Sequence, residues 1–130
     1  MSFLIPVKSD KAPIPVGPYN QAIKAGNFLY CSGQIAINPE SNQIECLGDI
    51  EGETLQVLNN LKEVLHAGGA SMNDVIKTTI FLTDLNDFKI VNSLYSKYFT
   101  GINVPARACV EVSSLPKGVL IEIDCVAYIQ

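Results

Sequence analysis

Positive charge is scarce in this chain, and arginine is nearly absent. Eight of the nine basic residues are lysines, and the one arginine is Arg107. No basic run occurs, and 13 acidic residues outnumber the 9 basic ones for a net charge of −4. Recognition of nucleic acid through phosphate neutralisation needs clustered Lys and Arg, so nucleic acid is not an expected partner. A single arginine still suffices for a small anion. Histidine is equally rare, with His66 alone, and the four cysteines (Cys31, Cys46, Cys109, Cys125) form no CxxC pair. Neither a zinc site nor a disulfide framework is expected from that set, and the cysteines read as free thiols in a reducing compartment. No apolar stretch is long enough to span a membrane as a helix. The N-terminus lacks the uninterrupted apolar core of a secretory signal and the arginines of a mitochondrial presequence, so a cytoplasmic location is expected.

What the chain does have is globular composition: 48% hydrophobic and 17% charged residues in a length of 130. That is enough for one domain, residues 1–130, with its own core. Four of the seven prolines (Pro6, Pro13, Pro15, Pro18) fall in residues 1–20, which predicts an extended, irregular segment. Asn20–Ala25 and Phe28–Ser32 read as strands around a Gly26-Asn27 turn. Residues 35–44 read as a loop turning at Pro39–Asn42. A helix is predicted from about Asp49, with Asp49, Glu51 and Glu53 at its positive end. Leu58, Leu61 and Leu65, with Val57 and Val64, form its apolar stripe, and Gly68-Gly69 stops it. Val75–Leu82 is a β-branched strand. A second helix over 86–99 carries Phe88, Val91, Tyr95 and Tyr98 on one stripe, which reads as core. Strands follow at Ala106–Val112 and Leu120–Ile129, joined by a loop over 113–118.

The order β-β-α-β-α-β-β predicts an α+β fold, a mixed sheet with two helices packed on one face. The strands keep apolar side chains on the other face too, so that face is expected to be covered by further copies of the chain.

Strand alternation places Arg107, Cys109 and Glu111 on one face, and Ala106, Ala108, Val110 and Val112 on the other. The alanines suit close packing under a helix. A guanidinium on a half-buried strand needs an anionic partner. Glu122, which shares a face with Asp124, is the candidate, and two readings stand open. One is a structural ion pair; the other is an anion-binding Arg107 beside an acid/base Glu122. His66, in the last turn of the first helix, reads as a partner of the helix dipole rather than a catalyst. Cys109 has no nearby histidine to activate it as a nucleophile, and Gly68-Gly69 has no phosphate-loop context.

Longer stretches carry a resemblance. Pro105-Ala106-Arg107-Ala108-Cys109-Val110-Glu111-Val112, then Leu115-Pro116 and Ile121-Glu122-Ile123, resemble the signature of the reactive intermediate deaminase family, also called the YjgF family. Gly17-Pro18-Tyr19-Asn20-Gln21-Ala22, Cys31-Ser32-Gly33-Gln34-Ile35 and Asp84-Leu85-Asn86-Asp87-Phe88 through Asn92 match as well, so the resemblance covers nearly the whole chain. It implies a chorismate-mutase-like fold, a homotrimer with clefts between subunits, and hydrolysis of short 2-imino acids to 2-keto acids and ammonia without a cofactor. By the same resemblance, Arg107 holds the substrate carboxylate and Glu122 orients or activates water. Tyr19 walls the cleft, Ser32 and Gly33 line it, Cys109 presents backbone groups, and Asn92 lies on the ligand side.

The residue chemistry agrees with that reading. A protonated imine is already electrophilic, so the site need only grip a carboxylate in two places and set a water beside the C=N carbon. Two other classes stay open from sequence: a ribonuclease or translation inhibitor, and a non-enzymatic ligand-binding, chaperone-like or regulatory trimer.

Overall fold

A computed structural model describes residues 3–130. All strands join one six-stranded sheet. In chain order they are β1 (Leu4–Val7), β2 (Ala22–Ala25), β3 (Phe28–Gln34), β4 (Val75–Leu82), β5 (Ala106–Glu111) and β6 (Ile121–Tyr128). Across the sheet the order is β1-β2-β3-β6-β4-β5. Neighbours run antiparallel except β4 and β5, which are parallel. The helices α1 (Ile50–Ala67) and α2 (Phe88–Tyr98) lie on one face. This is the α+β layering the sequence predicts.

β6 shows why. Ile121, Ile123, Cys125 and Ala127 are buried, and the intervening Glu122, Asp124 and Val126 are only partly covered. The buried set meets Leu29, Cys31, Ile80 and Leu82 from neighbouring strands and Val57, Leu58, Leu61, Val64 and Leu65 of α1 in one core. Fully burying each such aliphatic side chain contributes about 1.5–3 kcal/mol. α2 adds Val91 and Tyr95, whose phenol is 2.7 Å from the Thr78 hydroxyl. Phe88, predicted to be core, is instead partly exposed, because it lies at the margin of the sheet.

Two further expectations are corrected. The proline-rich segment is not wholly irregular: β1 adds a strand to the predicted order. Its Pro6 is accommodated because β1 is an edge strand, where a missing N–H costs least. (The first two positions of that prediction lie outside the described residues.) Much of the Ser9–Pro13 stretch that follows is tied down by one side chain. Buried Gln21 accepts from the Ser9 N–H at 2.6 Å and donates toward the carbonyls of Ser9, Ala12 and Pro13 at 3.1, 3.3 and 2.8 Å.

The second correction concerns Glu53. It is not merely a charge near a helix N-terminus but is fully buried. It accepts the N–H groups of Gly48 and Leu120, each at 2.8 Å, and so ties the start of α1 to the approach of β6. Asp49, at the cap position, makes no side-chain cap bond.

Glu53→Ala should therefore orphan two backbone donors and cost about 3–5 kcal/mol, with Glu53→Gln intermediate because an amide oxygen can serve only one of them well. Urea unfolding of the three proteins measures this. A loss below about 1 kcal/mol for the alanine variant would show that the carboxylate is not the link.

Candidate functional site

The pleat sorts the candidate residues into two groups. Arg107 pairs in register with Thr78, and Thr78 with Cys125. Thr78 and Cys125 are buried beneath the helices, so Arg107 belongs to the helix-covered face. Glu122 pairs with Phe81, and Phe81 with Val110, one position out of phase. Glu122 therefore belongs to the open face. β4 lies between the two strands that carry them. The structural ion pair of Arg107 and Glu122 is thereby overturned. So is the expectation that Ala106 and Ala108 pack under a helix: their face is the open one, and the helix side is taken by Arg107, Cys109 and Glu111.

Arg107 is exposed rather than half-buried, since β5 is the sheet's other edge. It is nevertheless firmly held. Its Nη1 donates to Asn92 Oδ1 at 2.7 Å, and its guanidinium carbon lies 5.4 Å from the Phe88 ring centroid and 4.9 Å from that of Tyr95. Stacking on ring faces restricts the planar fork without neutralising it. No carboxylate among the described residues pairs with it. Phe88, Tyr95 and Asn92 all come from α2, so the helix stripe that reads as core in the sequence also forms the bed of the arginine. Cys109, two residues on, packs against the main core. Burial pushes its thiol up, with Arg107 pulling the other way. A thiol kept protonated is a poor nucleophile, which leaves Cys109 a packing or backbone role.

The second group gathers around Glu122. The β3–β6 ladder shifts register between Cys31 and Gln34, and that irregularity holds Ser32 and Gly33. The Ser32 N–H donates to the Gln21 carbonyl at 2.9 Å and its hydroxyl to the Asn20 carbonyl at 2.6 Å. The Glu122 carboxyl lies directly on Gly33: a Cβ at that position would be 2.3 Å from Glu122 Oε2. Gly33 is required here for space. Tyr19 and Gly33 line one small cavity of about 20 Å³ together with Gln34 and the Pro13–Val16 segment. The Tyr19 hydroxyl accepts the Val16 N–H at 3.2 Å, which fixes the ring. Burial raises the Glu122 carboxyl above its usual range, and neighbouring Asp124 raises it further. Asp124 is raised by burial as well, while hydrogen bonds from Thr79 and the charge of Lys77 oppose the shift.

Tyr19, Ser32, Gly33 and Glu122 are thus brought together, and so are Arg107, Asn92 and Cys109. The two groups are not brought together within one chain. Sequence reasoning missed Phe88 and Tyr95 as partners of Arg107, although their aromatic stripe on α2 was visible. It also missed Gln21, whose signal was only its place in a matched motif. Among the described residues no group of three or more His, Cys, Asp or Glu could hold a metal ion, and no helix is long and apolar enough to cross a membrane.

Two predictions follow from the Glu122 environment. A carboxyl whose folded pKa is raised contributes stability that is present below its unfolded pKa and lost as pH rises through the folded value. Glu122→Gln should remove part of that loss, so melting temperatures of the two proteins should diverge in favour of the variant from acidic to neutral pH, with Asp124 responsible for any slope that remains. Parallel curves would contradict the assigned environment. Gly33→Ala must expel the carboxyl, and carboxyl ¹³C NMR should then show the Glu122 pKa falling back toward its ordinary range. An unchanged titration would mean that the two groups are not in contact.

Comparison with known proteins places the chain. A family model described as Endoribonuclease L-PSP matches residues 9–129. A RutC family protein of Pyrococcus horikoshii is 56% identical over 120 residues, 92% of this chain and 94% of that protein. The 2-iminobutanoate/2-iminopropanoate deaminase of Escherichia coli is 42% identical over 123 residues, 93% and 94% of the two chains. Among solved structures, a Rid family protein from Yersinia pestis superposes with a TM-score of 0.93 at 44% identity, covering 97% of this chain and 99% of that one. The YjgF gene product of Escherichia coli superposes at 0.90 and 40% identity, covering 97% and 99%. With the family model matched over residues 9–129 and these relatives covered almost end to end, the chain belongs to the Rid, or YjgF, family.

Proposed function

We propose that this protein hydrolyses short 2-imino acids, such as 2-iminobutanoate and 2-iminopropanoate, to 2-keto acids and ammonia. Its active sites would form between subunits of a homotrimer. The observation that carries the reading is the pairing of a held, uncompensated guanidinium with a separate half-buried carboxyl of raised pKa. The name of the Escherichia coli relative supports the same chemistry.

The division of residues between two faces supports the assembly. Arg107 and Glu122 lie on opposite faces of one chain, which favours a site in which one copy presents its β5 edge to the open face of the next. That face offers apolar surface for the purpose: Phe28, Tyr30, Val110 and Tyr128 are each more than a third exposed, with Phe28 and Tyr128 in edge contact. The family resemblance implies three copies.

In the proposed cleft Arg107 grips the substrate carboxylate by two N–H groups, and Asn92 with the two rings keeps the fork from swinging. Tyr19, Ser32 and Gly33 of the neighbouring copy form the wall, and Cys109 contributes backbone groups. Water adds to the imine carbon while Glu122 takes its proton. The C–O bond forms as the C=N π pair moves to nitrogen, giving a carbinolamine. Glu122 returns the proton to that nitrogen, the C–N bond breaks, and ammonia leaves as the hydroxyl gives its own proton to the Glu122 carboxylate and becomes the keto group; that proton then passes to the departing ammonia. A carboxyl whose pKa burial has raised holds a proton more readily than an exposed one, which suits it to return the proton it has taken.

Addition of the protein to a threonine dehydratase reaction should speed release of ammonia and 2-keto acid. Arg107→Lys keeps the charge but loses the two-point grip, and should lower the rate roughly 30- to 1000-fold with an unchanged melt. Glu122→Gln should turn over slowly yet still bind the keto acid. A fully active Arg107→Lys would remove the assignment. Cleavage of RNA without any effect on ammonia release would favour the ribonuclease named in the family description instead. Light scattering should return three times the chain mass at micromolar concentration, and a monomer mass would overturn the shared-site model.

A further inference from the structure

A second concave feature lies outside both groups of site residues. α1 and α2 pack side by side, and between their C-terminal turns and the Ala70–Asn73 segment lies a cleft of about 590 Å³. Lys62 and His66 stand one turn apart on α1, at i and i+4, and Lys97 comes from the last turn of α2. The cleft thus draws together two of the chain's eight lysines and its one histidine, and no Asp or Glu lines it. In a chain of net charge −4 that is a local inversion of sign.

Neutral groups in the cleft add donors. The Tyr98 hydroxyl donates to Asn59 Oδ1 at 3.0 Å. That contact leaves the Asn59 amide NH₂ as a donor with no partner among the described residues. The nearby carboxylate of Asp74 is already engaged by the Ser71 N–H and hydroxyl. Ala70, Met72 and the Tyr98 ring supply an apolar floor. Helix dipoles alone would account for a His or Lys at either C-terminus. They do not require the cations of two helices to converge on one cavity with an amide donor and an apolar floor.

We infer that this cleft binds a small organic phosphate: a phosphomonoester with an apolar body. Two lysines balance the charge of a phosphate dianion, and the His66 ring adds an N–H donor. The volume exceeds what a bare phosphate needs and falls in the range of small-molecule sites. The inference is independent of the imine reading, since none of these residues belongs to the proposed active site.

Because His66 is the only histidine, its ring proton signals report on the cleft without assignment. The test is a titration near neutral pH and constant ionic strength with phenyl phosphate, inorganic phosphate and benzoate in parallel. Phenyl phosphate should shift the His66 signals saturably and more tightly than either control. Lys62→Ala combined with Lys97→Ala should weaken that binding at least tenfold while leaving the melt unchanged, since both lysines are exposed. Three results would overturn the inference: a shift that stays linear, equal saturation in the double variant, or equal affinity for all three anions. The last would mark a merely basic surface.

Discussion

A pleated strand sends its side chains to alternate faces, and here only one face of the sheet is covered within the chain. Most of the molecule follows from that constraint. The covered face receives the isoleucines and the cysteine of β6 and the leucine stripe of α1. The same alternation then forces Glu122 to the uncovered side. Arg107, one strand beyond β4, has the opposite phase and is left with the helices. The two groups that chemistry would want together are held apart by the periodicity that builds the core.

Buried polar side chains position what hydrophobic burial cannot. An aliphatic core is indifferent to a few degrees of rotation, but a carboxylate between two N–H groups is not. Glu53 plays that part between α1 and β6, and Gln21 plays it for the proline-rich segment. The latter is the more consequential for the site. Tyr19 lies two residues from Gln21, and the Ser32 N–H is bonded to the Gln21 carbonyl. The loop that supplies the aromatic wall and the strand that supplies Gly33 are thereby referred to one residue.

Much of this was legible in the sequence. The leucine spacing of α1, the β-branched run of β4 and the alternation of β6 each record local burial, and local burial is what a linear pattern can report. The shared phase of Arg107, Cys109 and Glu111 was legible for the same reason. Which phase faces the helices was not, because β5 is an edge strand whose alanines, Ala106 exposed and Ala108 only partly covered, look like core. Nor was strand adjacency: β4 separates β5 from β6 through contacts distant in sequence, and an Arg and a Glu that seemed to face each other do not. β1 was hidden by its proline. The family motifs named the candidate site residues, but they could not show that one chain holds them in two groups.

The Gln21 clamp also bears on how the chain can vary. Three of its contacts are to main-chain carbonyls and one is to a main-chain N–H, so the clamp asks almost nothing of the side chains it holds. Exposed residues along the segment are free to drift so long as the backbone path survives, whereas Ala12, buried in the core, stays under its own packing constraint. Position 21 has no such latitude. A carboxylate there would face three carbonyl dipoles, and a shorter amide would not span the gap. A single codon thus carries the backbone constraint for the Ser9–Pro13 stretch, and divergence at the exposed positions of the segment between relatives would say little about whether its fold is retained.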